Sequence, residues 1–353
     1  MVRIFFYIIM SVIKLGKFTY NKDEVLSCVN FMKNSDVIFS GTLSEEDFLT
    51  FNFKKPKIIN KKNNLITFIN LEIEIKENDI VYCQLDYLEA LFRLIKKLDF
   101  SNIKIISTQS DRKINKSLFY QKPKCISKWY SVNVDYKHPQ LISIPLGIAS
   151  YRNTKSVIFS DFSDPINNDK IFQSFYTNFN VNTNYFHRIK AQKSIINYLG
   201  QNIKENIEYS SYLTNLQSSE YCIAPWGNGY DTHRFWESLY SGTIPITMVC
   251  THYESFSDLP VILVNSYDEI KTIQKEYNFF EKNIEKLNVN WWISEINNHV
   301  IKDSSAIRLN LTKSEIMFLN YYIAKLNYRN KLIKIVFTFL RRVNKKINNL
   351  HKI

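Results

Sequence analysis

The chain has 353 residues, 45% of them hydrophobic and 15% aromatic, and a formal net charge of +13. At about 150 residues per domain the length reads as two domains, and the apolar fraction is ample for packed cores, which excludes a disordered chain. The charge is uneven: residues 331–353 hold seven Lys/Arg and no acid, so the body is only mildly basic and lacks the stripes of cations and stacking aromatics that a nucleic-acid-binding fold displays.

Cys28, Cys83, Cys125, Cys222 and Cys250 are odd in number, widely spaced and without a C-x-x-C pair. That excludes a disulfide framework or a zinc ribbon and fits a reducing compartment, so a cytoplasmic location is expected. Residues 4–13, IFFYIIMSVI, are short of the roughly 20 residues a membrane span needs and lack a small-x-small cleavage site. Three readings stay open for them: a core helix or strand, a membrane-dipping segment, and a signal.

Residues 36–40 read as a strand, and β-branched runs follow at 57–60 and 65–75. The first clear unit opens at Asp79. IVYCQL is a strand, Tyr87 to Leu98 a helix with Leu88, Leu91, Leu94, Ile95 and Leu98 at helical spacing, and Ile103 to Ser107 the next strand. Asp86 and Asp111 each follow a strand directly, at the carboxyl ends where α/β sheets bind ligands. Asp111 also reads as the N-cap of a short helix from Arg112. Trp129 and Tyr130 suit a core or a sugar pocket. His138-Pro139 marks a turn, and residues 142–148 read as the last strand of a first domain, 1–155. The polar stretch 152–170, with Asp164-Pro165, reads as the linker.

A second domain, 166–325, begins with a strand at 171–179, a turn at Asn182 to Asn184, and a helix from Tyr185 with Arg188 in its first turn. A short helix at 212–219 leads into Tyr221 to Thr247, YCIAPWGNGYDTHRFWESLYSGTIPIT. Tyr221 to Ala224 is a strand, and Pro225 to Asp231 is a turn-rich loop in which Gly227 and Gly229 permit close backbone approach. A helix follows from Thr232, with Asp231 as N-cap and Gly242 as its stop, and then a strand at 244–249. A helix N-terminus facing such a loop offers unpaired N–H groups to an anion, with phosphate or diphosphate the natural occupant. Gly227 and Asn228 would let backbone amides approach it, and Arg234 would grip its oxygens in bidentate fashion. Glu237, one turn on, would accept from a ribose hydroxyl pair. Phosphate grip and sugar grip together indicate a nucleotide. His233 and Glu237 stand at metal-pair spacing, but zinc needs three or four ligands and no further cluster supplies them, so no metal is expected. Beyond this stretch come a strand at 259–264, an amphipathic helix at 267–277, and helices at 282–293 and 314–328. The tail, 326–353, reads as a basic amphipathic helix that either lies on anionic lipid or docks on the first domain.

The spacing P-x-G-x-G-x-D-x-x-R-x-W-E-x-L-x-x-G-x-I-P-I, carried by Pro225, Gly227, Arg234, Glu237, Leu239, Gly242, Ile244 and Pro245, resembles the donor-binding segment of exostosin-like glycosyltransferases of the GT-B type. Residues 175–188 and 142–148 resemble other recurrent blocks of such enzymes. The resemblance implies an α/β GT-B fold, two Rossmann-like doubly wound domains facing a cleft, with no cofactor beyond a nucleotide-sugar donor. It implies transfer of a hexose or pentose from a nucleotide-diphosphate sugar, UDP-linked by expectation, to a hydroxyl of a glycan or lipid-linked acceptor. Arg188 would point at the diphosphate beside Arg234. If the reaction inverts the anomeric centre, Asp111 is the candidate base, with Asp86 second. Two rivals stay open: a fucosyltransferase-like enzyme using a GDP-sugar, and a non-catalytic or nucleic-acid-binding protein on a transferase-like fold.

Overall fold

Val37–Ser44, Ile80–Gln84 and Ile103–Thr108 are β-branched runs buried on nearly every residue, the pattern of strands covered on both faces of a largely parallel sheet. The computed structural model describes residues 12–152, 157–162, 171–203, 207–273, 279, 282–297 and 305–350. Residues 4–11 of the apolar decamer and most of the expected linker lie outside the described residues.

The first unit comprises β1 (Ile13–Leu15), β2 (Phe18–Tyr20), α1 (Cys28–Lys33), β3 (Val37–Ser44), α2 (Glu45–Thr50), β4 (Pro56–Lys62), β5 (Leu65–Asn70), β6 (Glu72–Ile75), β7 (Ile80–Gln84), α3 (Leu88–Ile95), β8 (Ile103–Thr108), α4 (Lys116–Phe119), β9 (Ile126–Ser131) and β10 (Leu141–Ser143). The second holds β11 (Ile171–Tyr176), α5 (Tyr185–Leu199), α6 (Tyr209–Gln217), β12 (Ser219–Ile223), α7 (His233–Tyr240), β13 (Ile244–Met248), α8 (Thr251–Glu254), β14 (Ile262–Val264) and α9 (Val289–Asn297). The chain closes with β15 (Ile307–Asn310) and α10 (Lys313–Leu350).

The large sheet runs β10-β9-β8-β7-β3-β5-β4, parallel from β10 to β3 and antiparallel at β5 and β4. Its order reverses between β3 and β7, as in a Rossmann-like sheet. The second sheet, β11-β12-β13-β14, is parallel and follows chain order without reversal. The molecule is therefore mixed α/β with a large, mostly parallel central sheet, but among the described residues the second sheet is not doubly wound.

On one face of the large sheet, Phe39, Val81, Cys83, Ile105 and Trp129 pack with Leu88, Leu91, Phe92 and Ile95 of α3. On the other, Ile38, Tyr82, Ile106 and Tyr130 join a cluster that continues through Phe31 of α1 to Tyr221, Phe235, Trp236, Leu239 and Tyr253. The two sheets thus share an interior. Polar ties cross it as well: the Tyr240 hydroxyl accepts from Leu26 N at 2.7 Å, and Tyr20 donates to Ile284 O at 2.8 Å.

After α9 the chain returns to the first unit. β15 pairs antiparallel with β6, and the start of α10 buries Leu319 and Leu326 beside α3, where the Tyr322 hydroxyl reaches Glu89 Oε2 at 2.8 Å. Re-entry thus falls well before residue 325. The helix at 314–328 and the basic tail are one element, started by Thr312 and Glu315, which bond each other's backbone N–H as a capping box.

Other elements are shorter than expected. The 142–148 strand is confined to Leu141–Ser143. Beyond it the chain turns at Gly147, φ 72°, where a Cβ would come 2.0 Å from Leu26 O, and only glycine fits. At 267–277 there is a 3-10 turn, Tyr267–Thr272, with 274–278 outside the described residues. At 282–293 a 3-10 turn, Ile284–Leu287, precedes α9. Among the described residues no helix is long and apolar enough to cross a membrane.

Candidate ligand site at the strand ends

The carboxyl ends of β8, β9 and β10 meet those of β11, β12 and β13 around the loop Pro225 to Asp231. The cap of α7 is Thr232, without a side-chain bond. Asp231, expected as the cap, sits one residue earlier with its carboxylate turned inward. It accepts from Leu146 N at 2.8 Å, Trp236 Nε1 at 2.7 Å and Tyr253 Oη at 3.4 Å, and pairs with His252 Nε2 at 2.9 Å. A carboxylate only 3% exposed needs this many donors to stay out of water. Asp231 is thus a hub between sheets rather than a helix cap.

The loop is clasped by the first unit. Asp231 N donates to Asn133 Oδ1 at 2.9 Å, Tyr230 donates to Asp135 at 2.8 Å, and His233 Nδ1 lies 2.7 Å from Gly147 O. A Cβ at Gly229 would stand 2.6 Å from Asn133 Oδ1, so a larger residue would push the Asn133 side chain off its bonds to Asp231 N and Ser110 O. The expected cleft is therefore closed at residues 229–233. His233 and Glu237 face different partners, and among the described residues no group of three or more His, Cys, Asp or Glu is arranged to hold a metal ion.

Asp111 is exposed and accepts from Asn228 Nδ2 at 3.3 Å, which brings it to the edge of the loop. It does not cap a helix; α4 starts later, with Asn115 as its cap. Asp86 is more enclosed, accepts from Ser110 Oγ at 3.0 Å, and desolvation raises its pKa above the ordinary carboxylate value.

Arg188 does not point freely at a ligand. Nε donates to Trp226 O at 2.8 Å, Nη1 to Asn180 O at 2.8 Å and Nη2 to Pro225 O at 3.3 Å, so the guanidinium fastens the β12 loop to the segment after β11. Asn184 adds a bond to Gly227 O at 2.7 Å. Burial, then the charge of Arg234, depresses the Arg188 pKa to about 10. Glu237 is also internal: it is 5% exposed and accepts from Tyr212 at 2.6 Å, turned toward α6 and away from the loop where a ribose would lie.

Arg234 differs from both. Nη2 reaches Asn178 Oδ1 at 3.3 Å, the guanidinium lies 5.1 Å over the Tyr212 ring, and Nη1 is buried with no hydrogen-bond partner. The Tyr176 hydroxyl, at the end of β11, is buried without a partner too and feels the Arg234 charge. Among the described residues neither Arg188 nor Arg234 is ion-paired to a carboxylate. Sequence reasoning singled out the arginines but missed Tyr176, Asn178, Tyr212 and Asn133. The signal available in the sequence was the Asn-rich run 178–184; Asn133 shows itself in the structure, by a left-handed backbone, φ 55°, which asparagine tolerates best after glycine.

His187 stacks on Trp226 with ring centroids 4.3 Å apart and planes 1° from parallel. Burial, then Arg188, Lys190 and Lys113, lowers its pKa to about 4. The unfolded chain, titrating near 6.5, binds the extra proton first, so the neutral imidazole contributes fully above pH 6.5 and the contribution is lost as pH falls to 4. His187→Phe keeps the stack without the titration. The unfolding free energy of the parent, from urea titrations, should decline over this window by about 1–2 kcal/mol more than that of the variant, allowing for solvent screening.

No protein-family model matches the chain, and no curated protein matches it in sequence.

Proposed function

We propose that the protein is a glycosyltransferase of GT-B type that binds a nucleotide-diphosphate sugar, UDP-linked, at the strand ends of the second unit and transfers the sugar to a hydroxyl of a glycan or glycolipid. The observation that carries this reading is the pair of guanidinium groups without carboxylate partners beside the ends of β11 and β12, one of them with a buried, unused N–H. Two cations without an ion-paired carboxylate, close to a helix N-terminus, favour an anion with several oxygens, although the Glu237 charge already acts on Arg234. As a diphosphate leaves the sugar, charge grows on it, and preorganised donors are most effective against charge that develops.

In this reading Arg234 takes the diphosphate and Tyr176 and Asn178 complete its surroundings. Arg188 shapes the loop whose backbone at Gly227 and Asn228 lines the phosphates, while Glu237 orients Tyr212. Asp111, exposed at the loop edge, is the base that removes the acceptor proton. The resemblance of residues 225–246 to exostosin-like donor segments supports the same reading.

A thermal-shift panel of UDP, GDP, CMP and their sugars tests it. A ligand that binds only the folded protein stabilises it by about 2.7 kcal/mol at a concentration 100 times its Kd. UDP compounds are expected to raise the melting temperature. A response confined to GDP compounds would reassign the donor, and no response to any of them would overturn the proposal.

A further inference from the structure

A cavity of about 900 Å³ lies between α3, the segment before β9 and the outer wall of α10, and it is unused by the mechanism. This is the size range of small-molecule sites. Its floor is apolar, formed by Phe92, Leu98 and Phe318, while Lys96, Lys124 and Lys325 stand at its edge. Of the two carboxylates that line it, Glu89 is occupied by Arg112 and by the Tyr322 hydroxyl, which leaves Asp99 as one acid against the three lysines.

Tyr321 both lines the cavity and belongs to a second feature. Met317, Tyr321, Tyr328, Leu332 and Ile335 of α10 are between 43% and 71% exposed. At about 100° per residue these five positions fall within an arc of roughly 60°. The opposite side of the helix buries Leu319 and Leu326. An apolar outer stripe flanked by exposed Lys325, Arg329 and Lys331, on a helix whose last part carries cations and no acid, is the pattern of a helix lying in an anionic membrane interface. The charge selects this occupant over a second copy of the chain, whose own basic stripe would repel it.

We propose that the cavity receives one anionic amphiphile, with its apolar chain against Phe92, Leu98 and Phe318 and its phosphate on Lys96, Lys124 and Lys325, drawn from the membrane surface on which α10 lies. The mouth of the cavity is continuous with the stripe at Tyr321, so a lipid passes from the bilayer edge into the protein without crossing open water. This assignment is independent of the nucleotide reading of the strand ends.

The test uses the full chain and three soluble probes below their micelle threshold: 1-palmitoyl lysophosphatidate, 1-palmitoyl lysophosphatidylcholine and inorganic phosphate. Calorimetry is expected to show lysophosphatidate binding at least about tenfold tighter than lysophosphatidylcholine, with no heat from phosphate. The Lys96→Glu/Lys124→Glu/Lys325→Glu protein is expected to bind lysophosphatidate roughly hundredfold more weakly at an unchanged melting temperature. Met317→Ser/Leu332→Ser/Ile335→Ser is expected to pellet less with phosphatidylcholine vesicles containing phosphatidylglycerol, yet to keep its affinity for soluble lysophosphatidate. Equal binding of the two lysolipids, undiminished binding by the charge-reversed protein, or binding of phosphate alone would each overturn the proposal.

Discussion

Asp231→Ala is expected to lower the stability of the protein by about 3–5 kcal/mol, the range for breaking a buried, hydrogen-bonded charge. The size follows from what is left behind. Leu146 N, the Trp236 indole, His252 and the Tyr253 hydroxyl all meet on this one carboxylate, and all are buried or nearly so. Removing it strands several donors in an apolar surrounding, which costs more than the bonds contributed. Asp231→Asn keeps the shape and one acceptor but sets an amide NH₂ against a donor, so its loss should be intermediate. Urea midpoints at neutral pH measure both. An alanine variant with the parent's midpoint would mean that the four contacts contribute nothing net.

Arg234→Met should separate two properties, nucleotide affinity and stability. Nucleotide affinity is expected to fall by about 3 kcal/mol, roughly hundredfold, because a buried charged donor to phosphate is lost. Stability without nucleotide is expected to change by less than about 1 kcal/mol, because the loss of an N–H with no acceptor offsets the loss of the Arg234 charge beside Glu237 and of its bond to Asn178. A residue serving only the fold would lose stability on the same substitution. Arg188→Met supplies that contrast, since its three carbonyl partners lose their donors and the loop is released. Titration calorimetry with UDP and thermal melts of both variants decide the matter. An Arg234→Met protein that binds UDP as the parent does would remove this residue from the site.

The parts of the molecule legible in the sequence are those set by local period and turn chemistry. Leu88, Leu91, Leu94 and Ile95 repeat at helical spacing because one face of α3 covers the sheet, and the strand-loop-helix-strand order around residues 221–248 follows from its glycines and apolar runs. What could not be read were partners far apart in the chain. Asp231 looked like a cap because its local context is that of a cap; its donors lie at Leu146 and His252, and no spacing rule connects them. Glu237 looked free to reach a ribose because Tyr212, 25 residues earlier, gives no sign of its direction. The start of α10 was available in Thr312 and Glu315, a capping pair overlooked because the cations without acids at residues 331–353 drew a separate tail from 326 instead.

The interior that both sheets share has a further consequence. Severing the chain between residues 152 and 171 would not yield two small proteins: each piece would carry Phe31 or Trp236, and their neighbours, as a raw apolar wound. Either half on its own would be a sticky, half-finished fold, so the protein must be inherited, expressed and repaired as one piece.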